Sequence, residues 1–289
     1  MKRKERSFTT KEEKLMIATK IAGVLVGLPG HGHSIAFEPN AIMSVIHALI
    51  MEFGAKVECR IFDEIYLSHQ GVNDAIRTFD PNVILVSVPV SGYYGSAIEL
   101  ATYWKSLGKH VLLGGYHFAI PDSPIPNLAA RRLGLPICFG DGRPAVCGFL
   151  KWVWGECSLT DVPNICFLDS GSGKFVRTKS VAVLVEEEVY PALPLDVFDP
   201  RMYWGRTCEV DELSRLAIGR TAVGPNIVTG CTYRASRHAA GKEACNYCSL
   251  TSQHVAASGR HFWDTMSCLV NQVSAIDWKG ALGIMCYHV

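Results

Sequence analysis

The first part of the chain alternates short apolar runs with segments in which apolar residues recur every three or four positions. The run Ile21–Leu28 predicts a strand, and Val83–Val88, apolar at all but one position, predicts a central strand buried on both faces. Between them, apolar residues at helical spacing from 42 to 53 predict an amphipathic helix. Asn40 is placed to cap this helix and Gly54 to end it.

The same alternation continues to about residue 155. Three further strands are predicted, at Lys56–Phe62, Val111–Leu113 and Ile137–Phe139. A helix is predicted over Ser96–Leu107, and Pro144 is placed to be the first residue of a last helix. Strand–helix alternation at this spacing indicates an α/β fold, a doubly wound parallel sheet of the flavodoxin or Rossmann type. Such sheets bind ligands outside the carboxyl ends of their strands.

The pattern divides the chain into four segments. Residues 1–20 are a charged N-terminal extension, and residues 21–155 form the first domain. Residues 156–215 combine a hairpin signal with a proline-rich stretch, which predicts a connector. Residues 216–289 begin a second domain with a strand, a loop, a helix and another strand. One such unit cannot close a core alone, so we expect the start of an incomplete α/β barrel.

Composition narrows the classes of function. The 289 residues are 48% hydrophobic and 19% charged, which describes a globular protein with room for two cores. A net charge of +1 gives no clear nucleic-acid surface. With no signal peptide and no apolar run of membrane-spanning length, we expect a cytoplasmic protein without a membrane partner. Cysteines in strand-like runs are predicted to be small core residues, namely Cys59, Cys138, Cys166 and Cys286.

Three of the eleven cysteines are clustered. Cys231, Cys245 and Cys248 form a C-x13-C-x2-C arrangement directly after a strand-like run. Clustered thiols in a reducing compartment indicate metal binding or catalysis, and soft thiolates suit an iron–sulfur cluster. Three ligands on a four-iron cluster leave one iron open for a small molecule. A zinc site that adds His238 or His254 is an alternative, as are plain buried thiols.

Glycine, histidine and serine recur at the predicted strand ends. Gly114 and Gly115 follow the fourth strand, where they serve either turn geometry or the close approach of a flat ligand. His31 and His33 lie in a glycine-rich loop after the first strand, either as solvated imidazoles or as ligand contacts. Ser87 on the third strand is either a satisfied core hydroxyl or a ligand contact.

These motifs resemble those of the radical S-adenosylmethionine enzymes that carry an N-terminal cobalamin-binding domain. The resemblance covers nearly everything from Ile21 onwards. In the first domain it rests on Gly114-Gly115-Tyr116-His117, and on Gly140-Asp141-Gly142-Arg143 where the family usually has Gly-Glu-Gly-Glu. In the second domain it rests on Gly230-Cys231-Thr232-Tyr233-Arg234 and on Cys245-Asn246-Tyr247-Cys248.

The resemblance implies a set of cofactors. The three cysteines would hold a [4Fe-4S] cluster whose open iron binds S-adenosylmethionine, and Tyr247 would contact the adenine. An electron donor such as flavodoxin or ferredoxin would supply the electron that cleaves S-adenosylmethionine to a 5′-deoxyadenosyl radical. Cobalamin would support methyl transfer or a radical rearrangement on an unidentified substrate. The residues expected at the cobalamin site are Gly114, Gly115, His117, Ser87, His31 and His33.

Three features depart from the family pattern. The usual spacing is C-x3-C-x2-C, and this chain has Ala235 where the second cysteine would stand. The first domain lacks the Asp-x-His-x-x-Gly signature with which many cobalamin proteins supply an axial histidine. The chain ends at Val289, after only the second expected barrel strand. The early end favours a second hypothesis, a non-catalytic cobalamin-binding module with a degenerate barrel.

Overall fold

A computed structural model of the chain describes residues 18–27, 40–64, 67–89, 91–118, 124–181 and 193–199, and four short strands closer to the carboxyl end. The first seven strands are β1 (Thr19–Leu25), β2 (Val57–Asp63), β3 (Val83–Ser87), β4 (His110–Gly114), β5 (Ile137–Cys138), β6 (Ile165–Leu168) and β7 (Phe175–Arg177). The helices are α1 (Asn40–Phe53), α2 (His69–Phe79), α3 (Tyr94–Ser106), α4 (Ile125–Leu133) and α5 (Gly142–Val153).

These seven strands form one mixed sheet in the order β2-β1-β3-β4-β5-β6-β7. Strands β1 to β5 run parallel, and β6 and β7 continue the sheet as an antiparallel hairpin. The predicted α/β class and doubly wound parallel core are therefore confirmed. The hairpin that the sequence indicated near residue 170 is present, and it extends the sheet of the first domain.

Apolar residues on the helices cover both faces of the sheet. Helices α1 and α5 pack on one face, where Ile46 and Phe149 are fully buried. Helices α2, α3 and α4 pack on the other face, with Ile76 and Leu100 at their centre. Strand β3 lies between these layers and is buried at all five positions, as its continuous apolar sequence predicts.

Two predicted helix starts were wrong, and α3 begins at Tyr94 rather than Ser96. Helix α5 begins at Gly142, two residues before Pro144, because the Asp141 side chain accepts a hydrogen bond from the Arg143 N–H at 3.0 Å. That bond caps the helix at Asp141. Pro144 is therefore the third residue of the helix, where its missing N–H still costs no intrahelical bond.

Beyond residue 199 the structure describes four strands. Strand β8 (Arg220–Val223) pairs in parallel with β11 (Ala281–Ile284), and β9 (Val228–Thr229) pairs antiparallel with β10 (Ser258–Gly259). The sequence predicts strands at Ile227–Thr229 and Leu282–Tyr287 here, and β9 and β11 overlap them. Within the described residues, no helix is both long and apolar enough to cross a lipid bilayer.

Asn164 joins the end of β5 to the segment that follows β7. Its side-chain nitrogen donates to the carbonyl oxygens of Asp141 at 2.7 Å and Val181 at 2.6 Å, and its oxygen accepts from the Val181 N–H at 2.6 Å. The residue is fully buried and has a left-handed backbone with a φ of 59°. Asparagine suits this position for two reasons. It tolerates a left-handed backbone, and its side chain forms hydrogen bonds with three backbone groups.

We expect Asn164→Gly to lower the free energy of unfolding by about 2–3 kcal/mol, because buried backbone groups lose their partners. Asn164→Ala should cost about 1 kcal/mol more, because alanine also strains the left-handed backbone. Urea unfolding of the three proteins separates the two effects. An Asn164→Gly variant as stable as the parent would contradict this role.

The predicted core cysteines within the described residues are buried and free of disulfides: Cys59, Cys138 and Cys166. Burial raises the pKa of Cys59 from 9.0 to about 12. Burial also raises the pKa of Cys166 to about 12, although the nearby Arg177 charge acts in the opposite direction. Neutral thiols are therefore part of the folded state.

These thiols should make the protein less stable in alkali. The unfolded chain releases its thiol protons above about pH 9, whereas the folded chain holds them, so stability is constant below that pH and falls above it. Each such thiol contributes a slope of about 1.4 kcal/mol per pH unit. Urea unfolding between pH 8 and 10 should show this loss, and Cys59→Ala should reduce the slope. A slope unchanged in the variant would exclude Cys59 as a cause.

Candidate functional site

The carboxyl ends of β1, β3 and β4 bring several predicted residues together. The strand register places Leu25 beside Ser87 and Ser87 beside Gly114. Gly115 follows at once, and His117 lies in the 3-10 turn at 116–118. This is the edge at which doubly wound sheets bind ligands. Four of the predicted site residues therefore lie at one place.

The backbone of Gly115 packs directly against the backbone of Val88 at this edge. Its φ is +100°, and a Cβ atom on it would lie 2.6 Å from both the nitrogen and the oxygen of Val88. The Val88 N–H donates to the Gly114 oxygen at 2.8 Å, and the His117 N–H donates to the Val88 oxygen at 3.2 Å. The glycine pair thus lies against the end of β3, and the fold alone already requires glycine at position 115.

An aromatic group stands beside the glycine pair. The half-buried His117 ring lies 4.7 Å from the Tyr94 ring and 4.8 Å from the Phe118 ring. Burial lowers the pKa of His117, so its imidazole is neutral at pH 7. Ser87 is only 6% exposed. The strand ends consequently offer bare backbone and neutral rings, a surface that suits a flat ligand better than an ion.

A carboxylate–histidine pair at the end of β2 was not predicted from the sequence. The buried Glu64 carboxylate accepts the Gly27 N–H at 2.9 Å and lies 2.6 Å from Nδ1 of His69. The Glu64 N–H donates to the Leu25 oxygen at 3.0 Å. Glu64 therefore fastens the end of β1 to the first turn of α2. The only sequence signal was an acidic residue just after a strand of alternating apolar and polar residues.

The motif after β5 is built around an ion pair. The Asp141 carboxylate accepts hydrogen bonds from Arg143 Nε at 3.1 Å and Nη2 at 2.7 Å, in addition to capping α5. Both side chains are largely buried. Arg143, the last residue of the Gly140–Arg143 motif, therefore balances the negative charge of Asp141.

The remaining candidates lie outside the described residues. These are Cys231, Cys245, Cys248, Tyr247, His31 and His33. Within the described ranges, no group of three or more His, Cys, Asp or Glu side chains could hold a metal ion. The iron–sulfur site accordingly stays a prediction based on its thiolates.

Solved structures share this fold. OxsB, a cobalamin-dependent S-adenosylmethionine radical enzyme with aqua-cobalamin and S-adenosylmethionine bound, matches 94% of this chain with a TM-score of 0.65 at 16% identity. The radical S-adenosylmethionine methyltransferase TsrM from Kitasatospora setae, with cobalamin and a [4Fe-4S] cluster bound, matches 90% with a TM-score of 0.56 at 18% identity. No family model and no curated protein matches the sequence.

This chain has the fold found in cobalamin-dependent radical S-adenosylmethionine enzymes. It spans 34% of the OxsB chain and 46% of the TsrM chain, so the likeness concerns part of those proteins. At such low identity the likeness extends to the fold alone. The roles of individual residues must therefore be argued from the geometry of this chain.

Alanine substitutions test the contact at Gly115, with Gly108 as the control position. Gly115→Ala should lower the free energy of unfolding by about 3 kcal/mol or more, because its methyl group would overlap the Val88 backbone. Gly108 also has a positive φ, of +79°, but has open space around it. Gly108→Ala should therefore cost only about 1 kcal/mol. Thermal unfolding of both variants tests the difference, and equal losses would show that contact with Val88 is unimportant.

Proposed function

We propose that this chain binds cobalamin at the carboxyl ends of β1, β3 and β4 and provides the cluster loop of a radical S-adenosylmethionine enzyme. The observation that carries the proposal is the Gly114–Gly115 segment lying against Val88. It leaves bare backbone and the neutral His117 ring at the edge where this fold binds ligands. A large flat macrocycle such as a corrin needs this kind of surface.

The described residues fit cobalamin in a specific way. Gly114 and Gly115 would contact it through their backbone, and His117 with Tyr94 would border it as neutral rings. The buried Ser87 hydroxyl lies next to Gly114 in the register. Within the described part of the chain, no histidine is predicted by motif to bind the cobalt. Cobalamin would supply methyl-carrying chemistry, while these residues position it and exclude water.

The second half of the proposal concerns the three clustered cysteines. Cys231, Cys245 and Cys248 would bind three irons of a [4Fe-4S] cluster, and Tyr247 would lie beside S-adenosylmethionine. The donor set supports this proposal, since three thiolates suit iron–sulfur clusters. Such a cluster supplies the electron for reductive cleavage of S-adenosylmethionine. A flavodoxin or ferredoxin as electron donor, and a cytoplasmic location, belong to the same proposal.

Anaerobic reconstitution with iron, sulfide and cobalamin tests both halves separately. The full chain should bind cobalamin and should also gain iron, sulfide and charge-transfer absorption. Cys245→Ala should lose the cluster absorption but retain cobalamin, because the two sites use different residues. Cys157→Ala is the matched control, since it removes a thiol of the 156–215 segment that belongs to neither site and should retain both.

The outcomes separate the alternatives. Protein that stays free of iron but binds cobalamin, and that forms no 5′-deoxyadenosine from S-adenosylmethionine, would indicate a non-catalytic cobalamin-binding module. Tight zinc binding that depends on Cys245 would indicate the zinc-stabilised alternative. Protein that binds no cobalamin would contradict the role given to the glycine pair.

A further inference from the structure

The carboxylate–histidine pair at the end of β2 leaves one imidazole nitrogen open to solvent. The Glu64 side chain is fully buried, whereas 31% of the His69 side chain is exposed. One Glu64 oxygen accepts the Gly27 N–H at 2.9 Å, and the other lies 2.6 Å from Nδ1 of His69. Within the described part of the chain, Nε2 of His69 has no hydrogen-bond partner, and it is not a buried atom. A ligand can therefore reach Nε2.

Glu64 determines the hydrogen-bonding role of this nitrogen. An ionised carboxylate only accepts hydrogen bonds, so Nδ1 carries the hydrogen in the pair. A neutral imidazole has one ring hydrogen, and Nε2 consequently presents a lone pair. The hydrogen bond at one ring nitrogen thus sets the role of the other. His69 accepts a hydrogen bond at Nε2 and selects a ligand group that donates one.

The pair lies in line with the strand ends of the proposed cobalamin site. The Val26 N–H donates to the Ser87 oxygen at 3.2 Å, and Ser87 is paired with the first residue of the glycine pair. Gly27, which Glu64 holds, directly follows Val26. Strands β1, β3 and β4 therefore end side by side, and their ends together span about 10 Å. The pair consequently borders the β1 side of that row.

His69 also lies on the same face of the sheet as the His117 ring. It is the first residue of α2, and α2 packs on the same face as α3. Tyr94, the first residue of α3, packs against that core, and its ring lies 4.7 Å from the His117 ring. Both helices begin at the carboxyl edge, because each follows one of the parallel strands. The two imidazoles therefore border the same face of this edge.

We propose that Nε2 of His69 accepts a hydrogen bond from a propionamide N–H on the rim of the corrin ring, and that Glu64 is the positioning residue that keeps Nε2 in its accepting form. The inference rests on the proposed function, because it names a further contact of the same ligand. A corrin that covers the three strand ends brings its rim to the β1 side. Replacement of the amide by a carboxylate would remove the donor and add a negative charge close to Glu64.

Equilibrium titration of the full chain with cyanocobalamin and with its monocarboxylic acids, in each of which one propionamide is a carboxylate, tests the contact. At least one acid should bind the parent about 10-fold more weakly than cyanocobalamin. His69→Phe should weaken cyanocobalamin binding by about 3- to 10-fold and remove the discrimination against that acid. His110→Phe is the matched control, because it removes an exposed imidazole at the opposite end of the sheet and should change neither affinity.

Glu64→Gln tests the positioning role. Glutamine keeps an oxygen for the Gly27 N–H, but its NH2 group donates to Nδ1 of His69, so the ring hydrogen moves to Nε2. This variant should bind the acid at least as tightly as cyanocobalamin. A purely structural role would leave the relative affinity of the two corrinoids unchanged. The 15N chemical shifts of the His69 ring should place the hydrogen on Nδ1 in the parent and on Nε2 in the variant.

The two variants protect each other against misfolding. Circular dichroism shows whether each is folded. If His69→Phe is not, the changed preference of Glu64→Gln carries the test, and the reverse holds as well. In the parent, binding of cyanocobalamin should in addition shift the 15N resonance of Nε2, a measurement that needs no substitution.

Four results would overturn the inference. The first is a parent that binds cyanocobalamin and all the acids equally. The second is equal weakening of every corrinoid, or of none, by His69→Phe. The third is a hydrogen on Nε2 in the parent. In these three cases binding of cyanocobalamin by the parent would leave the proposed function intact. The fourth is that no corrinoid binds the parent, which would overturn the proposed function as well.

Discussion

The site depends on the close backbone contact between Gly115 and Val88. Two hydrogen bonds, from Val88 N–H to Gly114 and from His117 N–H to Val88, hold the segment against the end of β3. Only a residue without a side chain can occupy position 115, because its φ is positive and its Cβ position lies within 2.6 Å of the Val88 backbone. This contact sets the direction of the turn that follows. It thereby places His117 beside Tyr94 and keeps bulky side chains away from the strand ends.

Buried polar groups hold the same edge on either side of that contact. On one side Glu64 joins the end of β1 to α2, and on the other Asn164 joins the end of β5 to the segment after β7. Each satisfies backbone groups that the ends of strands leave without partners. The interior of the sheet, by contrast, is held by apolar packing in two layers. These hydrogen bonds fix the described strand ends on both sides of Gly115.

The fold and the chemistry rest on different parts of this protein. The shared fold with OxsB and TsrM concerns backbone arrangement at 16–18% identity, and many chemistries occur on one fold. The described residues form a glycine-lined strand edge with the neutral His117 ring beside it. The radical chemistry would depend on three thiolates elsewhere in the chain. In the proposed function, binding of cobalamin and cleavage of S-adenosylmethionine would therefore be separable.

The sequence alone determined the alternation of strands and helices, the parallel core and the glycine pair, since each depends on local periodicity or on one residue type. Helices α2 and α4 were missed, because they are short and carry many polar residues, and they are stabilised by packing against the sheet. The start of α5 was misplaced because the Asp141 side chain decided it.

Only the tertiary structure showed that Glu64, Asn164 and Arg177 pair with distant partners. In the sequence they are ordinary polar residues without a motif. Their partners lie far along the chain, on other strands or helices: Gly27 for Glu64, Val181 for Asn164, and Asn127 with Phe139 for Arg177. Burial and pairing of a polar group are properties of the folded chain, whereas periodicity and turn chemistry are properties of neighbouring residues. For that reason the sequence could predict the sheet and its glycine turn but not the charged groups around them.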